Sequence, residues 1–369
     1  MYLYAAQASL GDDVYHEPST LALEAHVAKL TGKEAALFLP SGTMSNQIAL
    51  RTHLKQPPYS VLCDQRAHIN TYEAGGTAFH SGAHSTPVIP SNRHHLTLED
   101  VQANIVLGSD LHCAPTEVVA LENTLNGTIF PQDEIVRISD YVHSHGLKMH
   151  LDGARIWHVA AETGTTVKEL CDPFDSVSLC MSKGLGAPIG SCLVGPKDYI
   201  RRARWFRKLF GGGMRQTGLL AASCAYALTY NFPQLPRVHT LARRLEQGLE
   251  DLGVKITSGA ETCMVRLLTF PIVRNTHSFS KVFFDPSPLG ISYYELVTRA
   301  NELPNPIKLG GSRLVVHIQT SPEAVEDFLA LVKELAEEKK KDGFLPESNG
   351  HVETNGAPYS NIYVRAGKK

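Results

Sequence analysis

Apolar positions along the first two thirds of the chain fall into short runs separated by stretches of helical spacing. Leu23, Val27 and Leu30 recur on one helical face, and Gly32 stands where a C-terminal cap belongs, so a short amphipathic helix is predicted there. AALFL (35–39) is a compact apolar run stopped by Pro40, and after Ser41-Gly42-Thr43 a helical pattern runs from Met44 to Leu54. That is strand, tight turn, helix. Strand-like runs continue with SVLCD (60–64), VVALE (118–122), LKMHLD (147–152), SVSLCM (176–181) and SCLVG (191–195). Helical segments fall between several of them, most clearly Asp133 to His145, where Ile135, Ile138 and Val142 form one stripe. The alternation predicts an α/β fold: a mostly parallel sheet covered on both faces, with functional residues just past the C-terminal ends of its strands.

The pattern changes at NFPQLP (231–236), where two prolines interrupt it. A helix (237–252), a strand (264–270), a helix (292–302), a strand (313–320) and a helix (322–340) follow. The chain is thus expected to divide into a large domain over 1–232, with an N-terminal arm over 1–20, and a small α+β domain over 233–340. From Lys341 the sequence is rich in Asn, Gly, Ser and Lys, so 341–369 is expected to be a disordered tail.

Composition narrows the function classes. With 43% hydrophobic and 20% charged residues, the 369-residue chain has the make-up of a soluble globular protein. Lys and Arg number 35 against 37 Asp and Glu, which leaves no broad positive field for nucleic acid. The 7 cysteines are scattered and never spaced as CxxC, arguing against a disulfide framework or a thiolate zinc site and for a reducing compartment. No basic and then apolar leader opens the chain and no run is long enough to span a bilayer, so a cytoplasmic protein without membrane contact is expected.

The sharpest chemical signal is Asp152-Gly153-Ala154-Arg155 at one strand end and Ser182-Lys183-Gly184 at another. Pyridoxal 5′-phosphate (PLP) needs a lysine to hold its aldehyde as an imine and a carboxylate to keep its pyridine nitrogen protonated. Lys183 and Asp152 supply one of each, although Asp152 could instead cap a helix over 154–163. Ser41, Gly42 and Thr43, between a strand and a helix start, suit a phosphate, and Ser182 could add a hydroxyl to it. His68 is placed to lie over a ring at the sheet edge, and Arg155 to reach that ring's phenolic oxygen. The run Gly211-Gly212-Gly213, with Lys208 before it and Arg215 after it, reads as a flexible loop approaching an anion. Arg313, with Arg155, is the candidate for the substrate side, where a guanidinium grips a carboxylate. His94-His95, His143/His145 and His150/Asp152 lack a third ligand at helpful spacing, so no metal is expected.

Together GDDVYHEPS, EAALFLPSGTMSNQIA, ENTLNGTI, HLDGARIW, CMSKGLGAPIGSCLVG and FRKLFGGGMRQTG resemble the low-specificity threonine aldolases, in the same order from about Gly11 to Arg313. ENTLNG, with Leu125, is most similar to the fungal branch. The resemblance implies the aspartate aminotransferase fold (fold type I) and cleavage of β-hydroxy-α-amino acids such as L-threonine to glycine and an aldehyde. It implies Lys183 as the Schiff-base lysine, Asp152 at the pyridine nitrogen, Arg155 at the phenolic oxygen, and Gly42 and Thr43 at the phosphate. His68 stacks on the ring, His112 lies near the β-hydroxyl and Arg313 binds the carboxylate. Lys208 and Arg215 reach a phosphate across a subunit boundary, implying a homodimer or homotetramer. Members of the family begin earlier, with a Ser-Asp-Thr segment whose serine helps hold the substrate; this chain is expected to lack it. Two alternatives stay open: a PLP-dependent alanine racemase of the same family, serving peptide natural-product assembly, and a catalytically silent paralogue.

Overall fold

The computed structural model describes residues 1–254, 256–258, 260–267, 286–309 and 314–344. Seven strands make the main sheet: β1 (Ala35–Leu39), β2 (Ser60–Asp64), β3 (His84–Val88), β4 (Thr116–Glu122), β5 (Lys148–Asp152), β6 (Ser176–Cys180) and β7 (Ser191–Gly195). Their order is β1-β7-β6-β5-β4-β2-β3. Only β7 runs against its neighbours; the other pairings are parallel. The C-terminal ends of β4, β5 and β6 therefore open on one edge, with Glu122 opposite Asp152 and Asp152 opposite Ser178.

Strands β2, β6 and β7 are buried on both faces, which is why they read as continuous apolar runs rather than as alternation. Strand β3 does not read that way. Its sequence HSTPV is polar and holds Pro87, tolerable because β3 is the sheet edge. The helix Pro18–Thr31 starts where the Glu17 carboxylate accepts from the Ser19 and Thr20 amides and stops at Gly32 in the left-handed region (φ 69°). Ser41 caps the helix Gly42–His53 by accepting from the Met44 amide. Ile135, Ile138 and Val142 are buried on the helix Gln132–Ser144, as their stripe predicts.

A second, antiparallel sheet of order β10-β9-β8 is formed by β8 (Ile256–Ser258), β9 (Met264–Leu267) and β10 (Leu314–Val315). Helices Leu235–Asp251, Tyr293–Asn301 and Pro322–Lys341 cover it around a core of its own that includes Val238, Leu296, Phe328 and Val332. The first of these helices begins before the expected 237, because Pro236 sits in its first turn, where a missing N–H breaks nothing. The strand expected over 313–320 is shorter: the His317 amide donates to Thr320 Oγ1 and closes a turn instead. Arg313, positions 268–270 and 345–369 lie outside the described residues. Among the described residues, no helix is long and apolar enough to cross a membrane.

Candidate active site

At the shared edge of β4, β5 and β6 the chain collects several acids and cations. Asp152, last residue of β5, is buried; its Oδ1 accepts from the Ala154 amide (3.0 Å) and its Oδ2 from Asn46 Nδ2 (2.8 Å). The helix after β5 starts only at Ile156, with Arg155 at its N-cap, so Asp152 caps a turn and not that helix. Asn46 Nδ2 also donates to Glu73 Oε1 (2.9 Å), and Gln47 Nε2 to Glu73 Oε2 (2.5 Å). Glu73 in turn faces His68, whose Nδ1 lies 2.7 Å from Glu73 Oε1.

His68 opens a short helix, His68–Thr71, and its backbone amide donates to Glu122 Oε2 at 2.8 Å. The hydrogen bond to Glu73 raises its pKa above the ordinary histidine value, with Asp152 and Glu122 adding to that. Burial, and then the Asp152 charge, push Glu122 up to about 8. Lys183 follows β6 and is half-buried, its carbonyl accepting from His317 Nε2 (3.1 Å). The Lys183 and Asp152 charges both bear on Glu122 and on the Cys180 thiol, which burial raises and Arg155 also faces. Among the described residues no hydrogen bond or ion pair engages the Arg155 guanidinium.

The structure thus gathers His68, Asp152, Arg155 and Lys183. Gly42 seats its helix against β6, since a Cβ there would stand 2.6 Å from Cys180 Sγ; Ser41 and Thr43 beside it are exposed, as is Ser182. Lys208 and Arg215 are exposed too, and within the chain Arg215 pairs with Asp12 at 2.5 Å. Among the described residues no hydrogen bond or ion pair joins the His112 ring to this group. His112 is exposed in the loop before Thr116, where β4 begins, whereas Glu122 ends that strand. Arg313 lies outside the described residues. Sequence reasoning missed Asn46, Glu73 and Glu122. Glu122 carried a usable signal, an acid closing an apolar run one strand away from Asp152.

The set fits a planar cationic cofactor. His68, Glu73 and Asp152 each offer one polar atom within 4.8 Å of the others, and Nδ1 of His68 and Nδ2 of Asn46 already bind the carboxylates. The two donors to Asp152 are neutral amides, so the buried carboxylate is suited to a positive N–H, which a protonated pyridine supplies.

Comparison with known proteins agrees. The model of the beta-eliminating lyase family matches residues 1–269. The chain is 44% identical over 337 residues to the low-specificity L-threonine aldolase of Candida albicans, covering 90% of this chain and 85% of that protein. It is 36% identical over 329 residues to an alanine racemase of Cochliobolus carbonum, covering 87% and 80%. The solved threonine aldolase of Leishmania major has the same fold, with a TM-score of 0.71 at 20% identity, covering 89% of this chain and 93% of that one. The chain belongs to the beta-eliminating lyase family, and within it to the low-specificity threonine aldolases that its motifs resemble.

Proposed function

We propose that the chain is a PLP-dependent lyase that cleaves L-threonine, L-allo-threonine and related β-hydroxy-α-amino acids to glycine and an aldehyde. The observation that carries this reading is Asp152, buried at a strand end, held by two donors and sharing its electrostatic surroundings with Lys183 just past the end of the next strand. Lys183 would hold the cofactor's aldehyde and Asp152 its pyridine nitrogen, with Arg155 at the phenolic oxygen and Ser41, Gly42, Thr43 and Ser182 at the phosphate. Bound there, PLP supplies an electron sink for the pair left on Cα when the Cα–Cβ bond breaks.

The chain's own residues do the rest. Glu73 fixes His68 with its proton on Nδ1, so Nε2 presents a lone pair, and the same carboxylate raises the basicity of that lone pair. His68 is the group we assign to take the β-hydroxyl proton, with His112 the second candidate for it. Arg313 is retained as the proposed carboxylate grip. We also propose a homodimer or homotetramer in which Lys208 and Arg215 complete a partner's phosphate site. All 7 cysteines are free thiols, which suits the cytoplasm.

The 36% identical racemase supports a second reading with the same cofactor residues, differing in which bond at Cα is broken. The PLP-reconstituted protein is incubated separately with L-threonine and L-alanine. Acetaldehyde and glycine from threonine support the aldolase, and D-alanine supports the racemase. Activity surviving in Lys183→Ala sinks both, and failure of the wild-type chain to bind PLP leaves the silent paralogue.

A further inference from the structure

Asp152 is the inner end of a line of hydrogen bonds between the helix Gly42–His53 and strands β5 and β6. His53 Nε2 lies 2.7 Å from Ser176 Oγ, which lies 2.9 Å from His150 Nδ1. His150 Nε2 lies 3.2 Å from Asn46 Oδ1, and Asn46 Nδ2 reaches Asp152 Oδ2 at 2.8 Å. Position fixes these partners: His150 stands two residues before Asp152 on the same face of β5, and opposite Ser176 in register.

The direction of every bond follows from the inner end. Both Asn46 amide hydrogens are used on carboxylates, Asp152 and Glu73, so its oxygen must face His150. His150 therefore carries its hydrogen on Nε2. Burial pushes its pKa down to about 4, so it is neutral at neutral pH and Nδ1 is a bare acceptor. The Ser176 hydroxyl donates to that nitrogen, and its oxygen is left to accept from His53 Nε2–H. Every donor points toward Asp152, and bonds aligned this way strengthen one another.

His150 and Ser176 are fully buried beneath the sheet edge, where the neighbouring Met149, Leu151 and Val177 show that apolar side chains fill the strands. Buried polar groups cost stability unless every one is satisfied, so the line calls for an explanation beyond packing. We infer that His150 and Ser176 are positioning residues, which hold the Asn46 amide by its oxygen so that its N–H stays aimed at the carboxylate serving the cofactor's pyridine nitrogen. Without the His150 donor the Asn46 oxygen is left buried and unpaired, and the amide loses its support on the side away from Asp152 and Glu73. This rests on the PLP reading above.

The test uses the full chain with His150→Leu, His150→Gln and Ser176→Ala. PLP dissociation constants are measured by equilibrium dialysis, with steady-state kinetics on L-threonine and unfolding temperatures of the PLP-free proteins alongside. His150→Leu is expected to weaken PLP binding by about tenfold to a hundredfold, the cost of disturbing a hydrogen bond to a charged group, and to lower kcat while KM stays within about threefold. Ser176→Ala moves both in the same direction by about threefold to tenfold. His150→Gln, whose amide nitrogen can reach Asn46 Oδ1, recovers to within about threefold of wild type. A residue that only filled space would lower the unfolding temperature and leave PLP affinity alone, or leave His150→Gln as impaired as His150→Leu. Either result overturns the inference. Should His150→Leu not fold, Ser176→Ala, which removes one hydroxyl, carries the same comparison. A wild-type chain that takes up no PLP defeats the proposed function itself; wild-type uptake with unchanged variants defeats the hydrogen-bonded line alone.

Discussion

Gly184, next to Lys183, is glycine for reasons of space. A Cβ there would stand 2.2 Å from His158 Nε2 and 2.8 Å from Cδ2. The buried His158 ring has nowhere to retreat, since its Nδ1 is 2.8 Å from His239 Nε2 and His239 Nδ1 lies 2.6 Å from Glu162. Gly184→Ala is expected to cost about 1–3 kcal/mol by overpacking and to cut turnover by displacing Lys183. In a His158→Ala background the same change should cost much less, and urea unfolding of the four proteins of that cycle measures the difference. Glu122 offers a test of sign. Its folded pKa of about 8 lies above the ordinary 4.5, so between those values the native chain holds a proton that the unfolded chain has lost. Stability contributed by this group therefore falls as pH rises through that window. Glu122→Gln removes the dependence, and the unfolding temperature of PLP-free Glu122→Gln should gain on wild type by ~2 °C or more between about pH 5 and about pH 8. A constant gap across that range would refute the assignment.

Elements carry the next level of argument, and two adjacent acids show how context sets their worth. Asp13 is buried against the Arg207 guanidinium, which also donates to the Phe38 carbonyl at 2.9 Å and so ties the helix Lys197–Leu209 to β1 and to the first residues of the chain. Asp12 pairs with an Arg215 whose side chain is 61% exposed. Asp13→Ala leaves a buried cation unpaired and is expected to cost about 3–5 kcal/mol, whereas Asp12→Ala should cost about 1 kcal/mol. Denaturant midpoints of the two variants decide it. The same contrast explains what could be read from the chain beforehand. The six strands other than β3, and the placement of Asp152 and Lys183 at the ends of neighbouring strands, were legible because burial writes apolar runs and because the acid and the lysine fall at or just past run ends. Strand β3 was not: unlike β1 at the opposite edge, which is buried along nearly its whole length, it is buried only at Val88, and its other side chains are under no demand to be apolar. Asn46 was hidden by the helical pattern that places it, as its partners Glu73, His150 and Asp152 arrive from distant segments.

At the scale of the whole molecule, the site in one chain ends in open surface. Lys208 and Arg215 flank the Gly211–Gly213 run without meeting His68, Asp152 or Lys183, and Trp205 and Leu209 on the same helix as Lys208 are 78% and 74% exposed. Large apolar side chains beside exposed cations are what a subunit boundary presents. If a second copy supplies Lys208 and Arg215 to the phosphate, two inactive variants can repair each other. A Lys183→Ala chain keeps both cations, and a Lys208→Ala/Arg215→Ala chain keeps the lysine. In a two-fold hybrid, one site receives Lys183 from the second chain and the cations from the first, and is whole; the other site has lost both. Random reassembly of equal amounts makes about half the dimers hybrid, so about a quarter of wild-type activity should return on mixing, where either variant alone has little. Were Lys208 and Arg215 to serve the site of their own chain, every hybrid site would lack one component and mixing would restore nothing, so coexpression followed by an aldehyde-release assay separates the two arrangements.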